Sequence, residues 1–414
     1  MEQLKKELNF VQGVGLLTTS LLGTGIFAIP AITAEIAGNN GLWAWPLLLI
    51  MIFPIGLIFA ELGKYYPSAG GVAYFVNRAF NPTLGRVSGW FFLTVIPFNL
   101  PAALYIASGF WVSLFNIPPF VELLIQLMTL FFIWLIGLFG AGASGWIQTL
   151  IAMLIIGLVM TIGFSSSPSV LTIEWPNLWQ IDAVPLMSAL GVMFWCFVGI
   201  EAFVHLTTEF KRPEKDFPRA LIVGLVLAGF IYWACTAAVL SLSTGSIVVT
   251  TALPNIIEQL FGQQALWIFC AIGYAACFAT INIYYQSYAR LIWDQTKQDF
   301  PSIWLAKLSK RSTPVNSLSF VILLSGIFLI LIHFFTISLT SLLIYANGVF
   351  VFIYLLAMLS AVRLLKGKLR IIAAICTMIC VGLLWVIGYK SLYAIGIFIF
   401  LWLVAKCLTL KKYH

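Results

Sequence analysis

The chain of 414 residues is 62% hydrophobic and only 9% charged, with a mean hydropathy of +1.04, which excludes a water-soluble globule whatever its domain count. Its formal charge of +8 comes from 22 lysines and arginines spread through short connecting segments, a distribution that excludes a nucleic-acid-binding patch and reads as a topology signal. The seven cysteines lie in or beside apolar runs with no CxxC pair and no histidine at metal spacing, so they read as reduced packing residues, with no disulfide scaffold or metal centre.

About 20 apolar residues cross a hydrocarbon core, and only helices or closed barrels satisfy the backbone there. The long unbroken apolar runs therefore predict an all-α integral membrane protein. Twelve spans fall at roughly 10–36, 42–63, 84–114, 120–139, 145–164, 184–207, 219–242, 262–293, 316–335, 339–362, 369–388 and 391–408. The segment before span 1 is short and charged, and no small-residue cleavage site follows a short apolar core, so the first run is expected to stay as a span. Every lysine and arginine except Lys390 lies on alternate connections. By the positive-inside rule those connections, and both termini, are expected in the cytoplasm, which fits an even number of spans. Glu174 and Asp182 lie in an external connection over 165–182 that carries no base. No soluble insertion interrupts the spans, so residues 1–414 read as one membrane domain.

Span 1 carries Leu22-Gly23-Thr24-Gly25-Ile26-Phe27 followed by Pro30, and span 6 carries Phe197-Val198-Gly199-Ile200-Glu201. Small residues in a span can simply allow close helix packing. Two interruptions at corresponding places, one beside a carboxylate, point instead to broken helices and an inverted repeat with a site near the bilayer midplane. The repeats would be residues 9–164 and 184–362, with two additional helices over 369–408. Glu201 costs roughly 2.5–3.5 kcal/mol at a span centre and reads as proton coupling or as a cap on N–H groups freed after Gly199.

These segments resemble the amino acid–polyamine–organocation superfamily of transporters over nearly the whole chain through span 10. The resemblance is carried by Gly23-Thr24-Gly25-Ile26-Phe27, by Glu61-Leu62-Gly63-Lys64-Tyr65-Tyr66-Pro67-Ser68-Ala69-Gly70-Gly71 and by Gly89-Trp90. It continues in Phe197-Val198-Gly199-Ile200-Glu201 with Pro218-Arg219-Ala220, then in Asn282, Ser287, Arg290, Asp299-Phe300-Pro301 and Pro314-Val315-Asn316. The wording of Trp195 to Ala220 is most similar to the superfamily's bacterial exporters of methionine and branched-chain amino acids. The resemblance implies a LeuT-like 5+5 inverted repeat with spans 1 and 6 broken. It also implies a substrate α-carboxylate on the backbone N–H groups of Thr24, Gly25 and Ile26, and an α-amino group on the carbonyls of Leu21, Trp195 and Val198. Gly23, Gly25 and Gly199 would shape the approach. Side-chain selection would fall to Trp195, Phe197 and the face around Ile281, none charged, which favours methionine, leucine, isoleucine and valine over cationic substrates.

The expected function is therefore proton-coupled export of neutral amino acids by alternating access, with import or exchange of the same substrates left open. Span 5 has no lysine where some relatives place one, and Thr280 is the alternative pointer to sodium. Glu61 and Glu209 read as paired or solvated beside Lys64 and Lys211, and His205 as a structural histidine. Gly140 to Gly145 matches GxGxxG without a preceding strand and fails the nucleotide test. No HExxH, GxSxG or carboxylate pair in the spans suggests an enzyme, and no cofactor is expected. The partners expected are the amino acid, protons and lipid, with spans 11 and 12 serving the bundle or a homodimer.

Overall fold

The computed structural model describes residues 8–67, 71–139, 153–154, 157, 161, 175–177, 181–204, 207, 210–242, 248–249, 251–309 and 313–411. Among them the backbone is helical, apart from connections and one isolated parallel bridge between Leu8 and Phe210. In chain order the helices are α1 (Phe10–Leu22), α2 (Ile29–Ala37), α3 (Gly41–Tyr65), α4 (Gly71–Ala79), α5 (Pro82–Leu93), α6 (Ile96–Phe115), α7 (Pro119–Phe139) and α8 (Ala183–Met193). They continue with α9 (Ile200–Val204), α10 (Asp216–Leu242), α11 (Ala252–Phe261), α12 (Gln263–Asp299), α13 (Val315–Phe334), α14 (Leu339–Leu364), α15 (Lys368–Ile387) and α16 (Ser391–Lys411).

Eight described stretches are long and apolar enough to cross a membrane, by length and composition. Their outer faces present apolar side chains such as Ile50, Phe131, Leu323, Trp385 and Phe400, as a lipid-facing surface must. Inside, α10 packs along α1 and α3, α12 against α6, and α14 against α15. Exposed side chains cap helix starts: Asn81 accepts from the Leu84 N–H ahead of α5, and Asp182 from the Val184 N–H ahead of α8. Cys196, Cys235, Cys270, Cys277, Cys376 and Cys380 are buried free thiols.

Three details differ from the expected outline. The span predicted at 84–114 is two helices, because the chain leaves α5 at Thr94, whose N–H and hydroxyl both turn back to the Phe91 carbonyl, and Pro97 opens α6. Helices α4 and α11 occupy connections between the expected spans. Helix α12 runs to Asp299 rather than to about 293. The span expected over 145–164 lies almost wholly outside the described residues.

The basic ends of several helices meet at one end of the bundle. Tyr66, after α3, donates to the Leu364 carbonyl of α14, and Arg363 reaches the Ala79 carbonyl of α4 while stacking over Phe80. At the same end Arg86 pairs with Asp299 at 2.9 Å, and Lys211 N–H donates to the Leu8 carbonyl. Lys390, the base that stood apart in the sequence, instead contacts Ser341 at the start of α14.

Candidate substrate site

Two interruptions face one another in the middle of this bundle. The first separates α1 from α2: the chain leaves the helix at Leu22, makes a 3-10 turn over Gly25–Phe27 and re-enters at Ile29, with Pro30 in the first turn of α2. The second follows α8 through a 3-10 turn over Phe194–Phe197, an extended Val198 and Gly199, before α9 resumes. The two 3-10 turns pack against each other. Gly199 sits at φ +122°, where an L side chain is strained, and a Cβ there would lie 2.9 Å from Ser20 Oγ.

Carbonyls released at a break in a water-free interior must find donors, and here each break is served by one tyrosine hydroxyl. Tyr232 of α10 reaches the Leu21 and Leu22 carbonyls at 2.9 and 3.2 Å. Its ring stacks on Trp45 of α3 at 5.0 Å, and Trp45 is itself held by Thr236. Gly25 is required by that arrangement, since a Cβ would lie 2.5 Å from the Tyr232 hydroxyl oxygen. At the second break, Tyr354 of α14 lies 2.8 Å from the Phe197 carbonyl and 2.6 Å from Glu201 Oε2. The same carboxyl oxygen accepts the Gly199 N–H at 2.9 Å. Glu201 therefore does cap the N–H group freed after the break, as one of its two readings expected.

Between the breaks lies a cavity of about 20 Å³, room for roughly one water. Six residues expected at a substrate site line it together: Leu21, Gly23, Thr24, Gly25, Trp195 and Val198. Ser20, Asn99, Ala103 and Tyr284 complete the wall. The structure places Ile26, Phe197, Gly199 and Ile281 outside that lining; Ile26, Phe197 and Ile281 are wholly buried in the packing around it. None of the ten lining residues is charged. Among the carbonyls expected to hold an α-amino group, that of Leu21 accepts from Tyr232 and that of Trp195 from the Val198 N–H at 3.2 Å. An ammonium at these positions shares or displaces those donors.

A second, larger space of about 380 Å³ opens among α4, α5, α12 and α14 and reaches Glu201. Arg86, Asn77, Asp294 and Gln295 line it, so it carries charged groups where the first cavity has none. Below it, the Gly89-Trp90 and Asp299-Phe300-Pro301 segments come together: Trp90 Nε1 donates to Asp299 at 2.7 Å beside the Arg86 pair. Glu61 lies 3.7 Å from Lys64, a paired carboxylate at a helix end. The Thr280 hydroxyl donates to the Ala276 carbonyl within its own helix. His205, Glu209 and the Gly140–Gly145 segment lie outside the described residues.

Asn99 carried a usable signal, as an amide inside a long apolar run, whereas Tyr284 is one of several tyrosines in such runs and was not set apart. Tyr232 and Tyr354 carried none, because their partners lie more than 150 positions away in the chain.

Membrane-length apolar helices around two broken segments, with an uncharged cavity between them and a charged cleft reaching Glu201 beside the second, define a polytopic membrane permease for small molecules. The amino acid permease family model matches residues 8–408, and the chain belongs to that family. It is 51% identical over 406 residues to the L-methionine/branched-chain amino acid exporter YjeH of Escherichia coli (strain K12), covering 98% of this chain and 97% of that protein. It is 27% identical to the uncharacterized amino acid permease YecA of Bacillus subtilis (strain 168), covering 89% and 87%. It is 22% identical to the cadaverine/lysine antiporter of Escherichia coli (strain K12), covering 67% and 64%.

Proposed function

We propose that the chain exports neutral apolar L-amino acids, methionine, leucine, isoleucine and valine, from the cytoplasm by proton antiport and alternating access. The observation that carries this reading is the 51% identity along nearly the whole chain to an exporter of those substrates. The uncharged lining of the cavity supports it, because a cationic side chain would find no carboxylate there. An apolar wall separates substrates differing by one methylene by only about 1–3 kcal/mol, so overlapping specificity follows.

In this reading the substrate α-carboxylate sits on the N–H groups of Thr24, Gly25 and Ile26 at the positive end of the α2 half-helix. The α-amino group sits on carbonyls of Leu21, Trp195 and Val198, and Trp195 forms the wall beside the side chain, with Phe197 and Ile281 behind it. A leucine is far larger than the present cavity, so binding requires the two breaks to separate. The cleft ending at Glu201 is the route from the basic end, which we assign to the cytoplasm with both termini. The fold plan is twelve spans, with inverted repeats over 9–164 and 184–362 and two further helices over 369–408, in a bacterial inner membrane.

Glu201 is the proton-coupling residue of this proposal. Purified protein in proteoliposomes, with proton or sodium gradients imposed in turn, tests it. Labelled leucine should move against an opposed proton gradient and ignore sodium. Indifference to the proton gradient would reject antiport and leave the substrate class to be judged by exchange alone.

A further inference from the structure

At the second break, three hydrogen-bond contacts share a fixed number of protons. The contacts run from Gly199 N–H to Glu201 Oε2, between Tyr354 Oη and Glu201 Oε2, and between Tyr354 Oη and the Phe197 carbonyl. With Glu201 ionised only two protons are available, one on Gly199 and one on Tyr354. The charged carboxylate outcompetes a carbonyl for the tyrosine proton. The Phe197 carbonyl then faces a hydroxyl lone pair at 2.8 Å in a dry interior. With Glu201 protonated the count closes: Glu201 donates to Tyr354, Tyr354 donates to Phe197, and Gly199 donates to a remaining lone pair of Oε2.

We propose that Tyr354 is the positioning residue through which the proton on Glu201 acts on the substrate site, its single hydroxyl proton capping the Phe197 carbonyl only while Glu201 is neutral. The proposal rests on the proton-antiport reading above. Release of the Glu201 proton to water in the cleft lets the Tyr354 O–H turn to the carboxylate. The Phe197 carbonyl, one residue from the cavity-lining Val198 and two from Trp195, then loses its donor and the second break is released. The first break has no carboxylate in this role: the Tyr232 hydroxyl meets the Leu21 and Leu22 carbonyls and the Cys196 thiol. Protonation thus works on one of the two walls.

The surroundings are consistent with a local switch. Tyr354 of α14 touches the Glu201 carboxyl, and Tyr284 and Tyr288 of α12 are titratable groups near enough to feel its charge. Arg86, Asp294 and Tyr74 line the cleft that reaches it. Of the elements packed on α9, α1 carries no titratable side chain, α3 carries Glu61, Lys64 and Tyr65 at its end, and α4 carries Tyr74 and Arg78.

The test compares wild type, Tyr354→Phe, Glu201→Gln and the double variant in leucine counterflow across a pH series. Infrared difference spectra follow the carboxylic C=O band of Glu201 in the same samples. Tyr354→Phe keeps the ring against Phe59 and Phe194 and removes only the hydroxyl. It should leave counterflow measurable, lower it about tenfold, flatten its pH profile and shift the Glu201 band. Glu201→Gln should abolish the band and the pH dependence, and the double variant should be no worse than the more impaired single variant. A Tyr354→Phe protein with the wild-type pH profile and an unmoved band would overturn the proposal while leaving antiport intact. A wild type with no pH response and no Glu201 carboxylic band would overturn both. If Tyr354→Phe is too unstable to transport, the band in wild type still decides: its absence in the substrate-free protein refutes the neutral carboxyl.

Discussion

Replacing Gly25 by alanine, and then rescuing it from a distance, probes how the first break is built. The added Cβ would lie 2.5 Å from the Tyr232 hydroxyl oxygen, 3.3 Å from Trp195 Cδ1 and 3.5 Å from Tyr232 Cζ. The hydroxyl cannot retreat freely, since it bonds two carbonyls and its ring is stacked on Trp45. Overpacking of this kind costs about 1–3 kcal/mol, and displacing the hydroxyl forfeits a further 0.5–1.5 kcal/mol or so per hydrogen bond. With two such bonds the sum is about 2–6 kcal/mol, so Gly25→Ala should weaken leucine counterflow by at least roughly thirtyfold if the strain falls on the transport-competent state. Tyr232→Phe alone should cost about tenfold through the lost hydrogen bonds. Joined to Gly25→Ala it removes the clashing atom and leaves one tight contact, 3.3 Å to Trp195 Cδ1, so the double variant should transport better than Gly25→Ala alone. The matching assay is a double-mutant cycle in counterflow rate and in thermal unfolding of the detergent-solubilised protein. Strict additivity of the two losses would refute the steric account of Gly25.

Three further outcomes follow from the geometry. Gly199→Ala forces an L side chain to φ +122° with its Cβ 2.9 Å from Ser20 Oγ; it should lose at least about 1 kcal/mol and most transport, read by the same two assays, and Ser20→Ala should not restore it because the backbone strain remains. Asp299→Ala removes the acceptor of the part-buried Trp90 Nε1 and the partner of the exposed Arg86 and should lower stability by about 1 kcal/mol, measured as a shift in unfolding temperature, whereas Lys64→Ala at a part-exposed pair should move it by less than about 1 kcal/mol. Trp195→Ala should enlarge the cavity wall and reduce discrimination among valine, leucine and methionine by about 1–3 kcal/mol, seen as convergence of their competition constants; retained discrimination would place selection elsewhere.

The membrane class and the positions of both breaks were legible from local sequence, because apolar run length and paired glycines are local properties. Six of the expected site residues line one cavity for the same reason: Leu21 to Gly25 and Trp195 to Val198 are contiguous pieces that only need to be brought face to face. What closes the site was not legible. Tyr232 and Tyr354 sit in apolar helices with nothing nearby in sequence to mark them, and their roles come from packing of α10 and α14 across the breaks. Phe197 and Ile281 were expected at the wall on sequence position alone, yet in a helix one residue's rotation decides between wall and packing. The division of the third apolar stretch into α5 and α6 was marked by Pro97, but a proline is tolerated in so many membrane helices that it does not by itself signal a break. Helix α4 is short, nine residues ending in Asn77, Arg78 and Ala79, so its apolar face was too brief to stand out as an element.

Counterflow in proteoliposomes of the purified protein bears most directly on what the chain carries. Labelled leucine should accumulate transiently against an excess of internal leucine, with unlabelled methionine, isoleucine and valine competing and lysine and cadaverine not. Absence of counterflow, or effective competition by cadaverine, would contradict an uncharged site for neutral apolar amino acids.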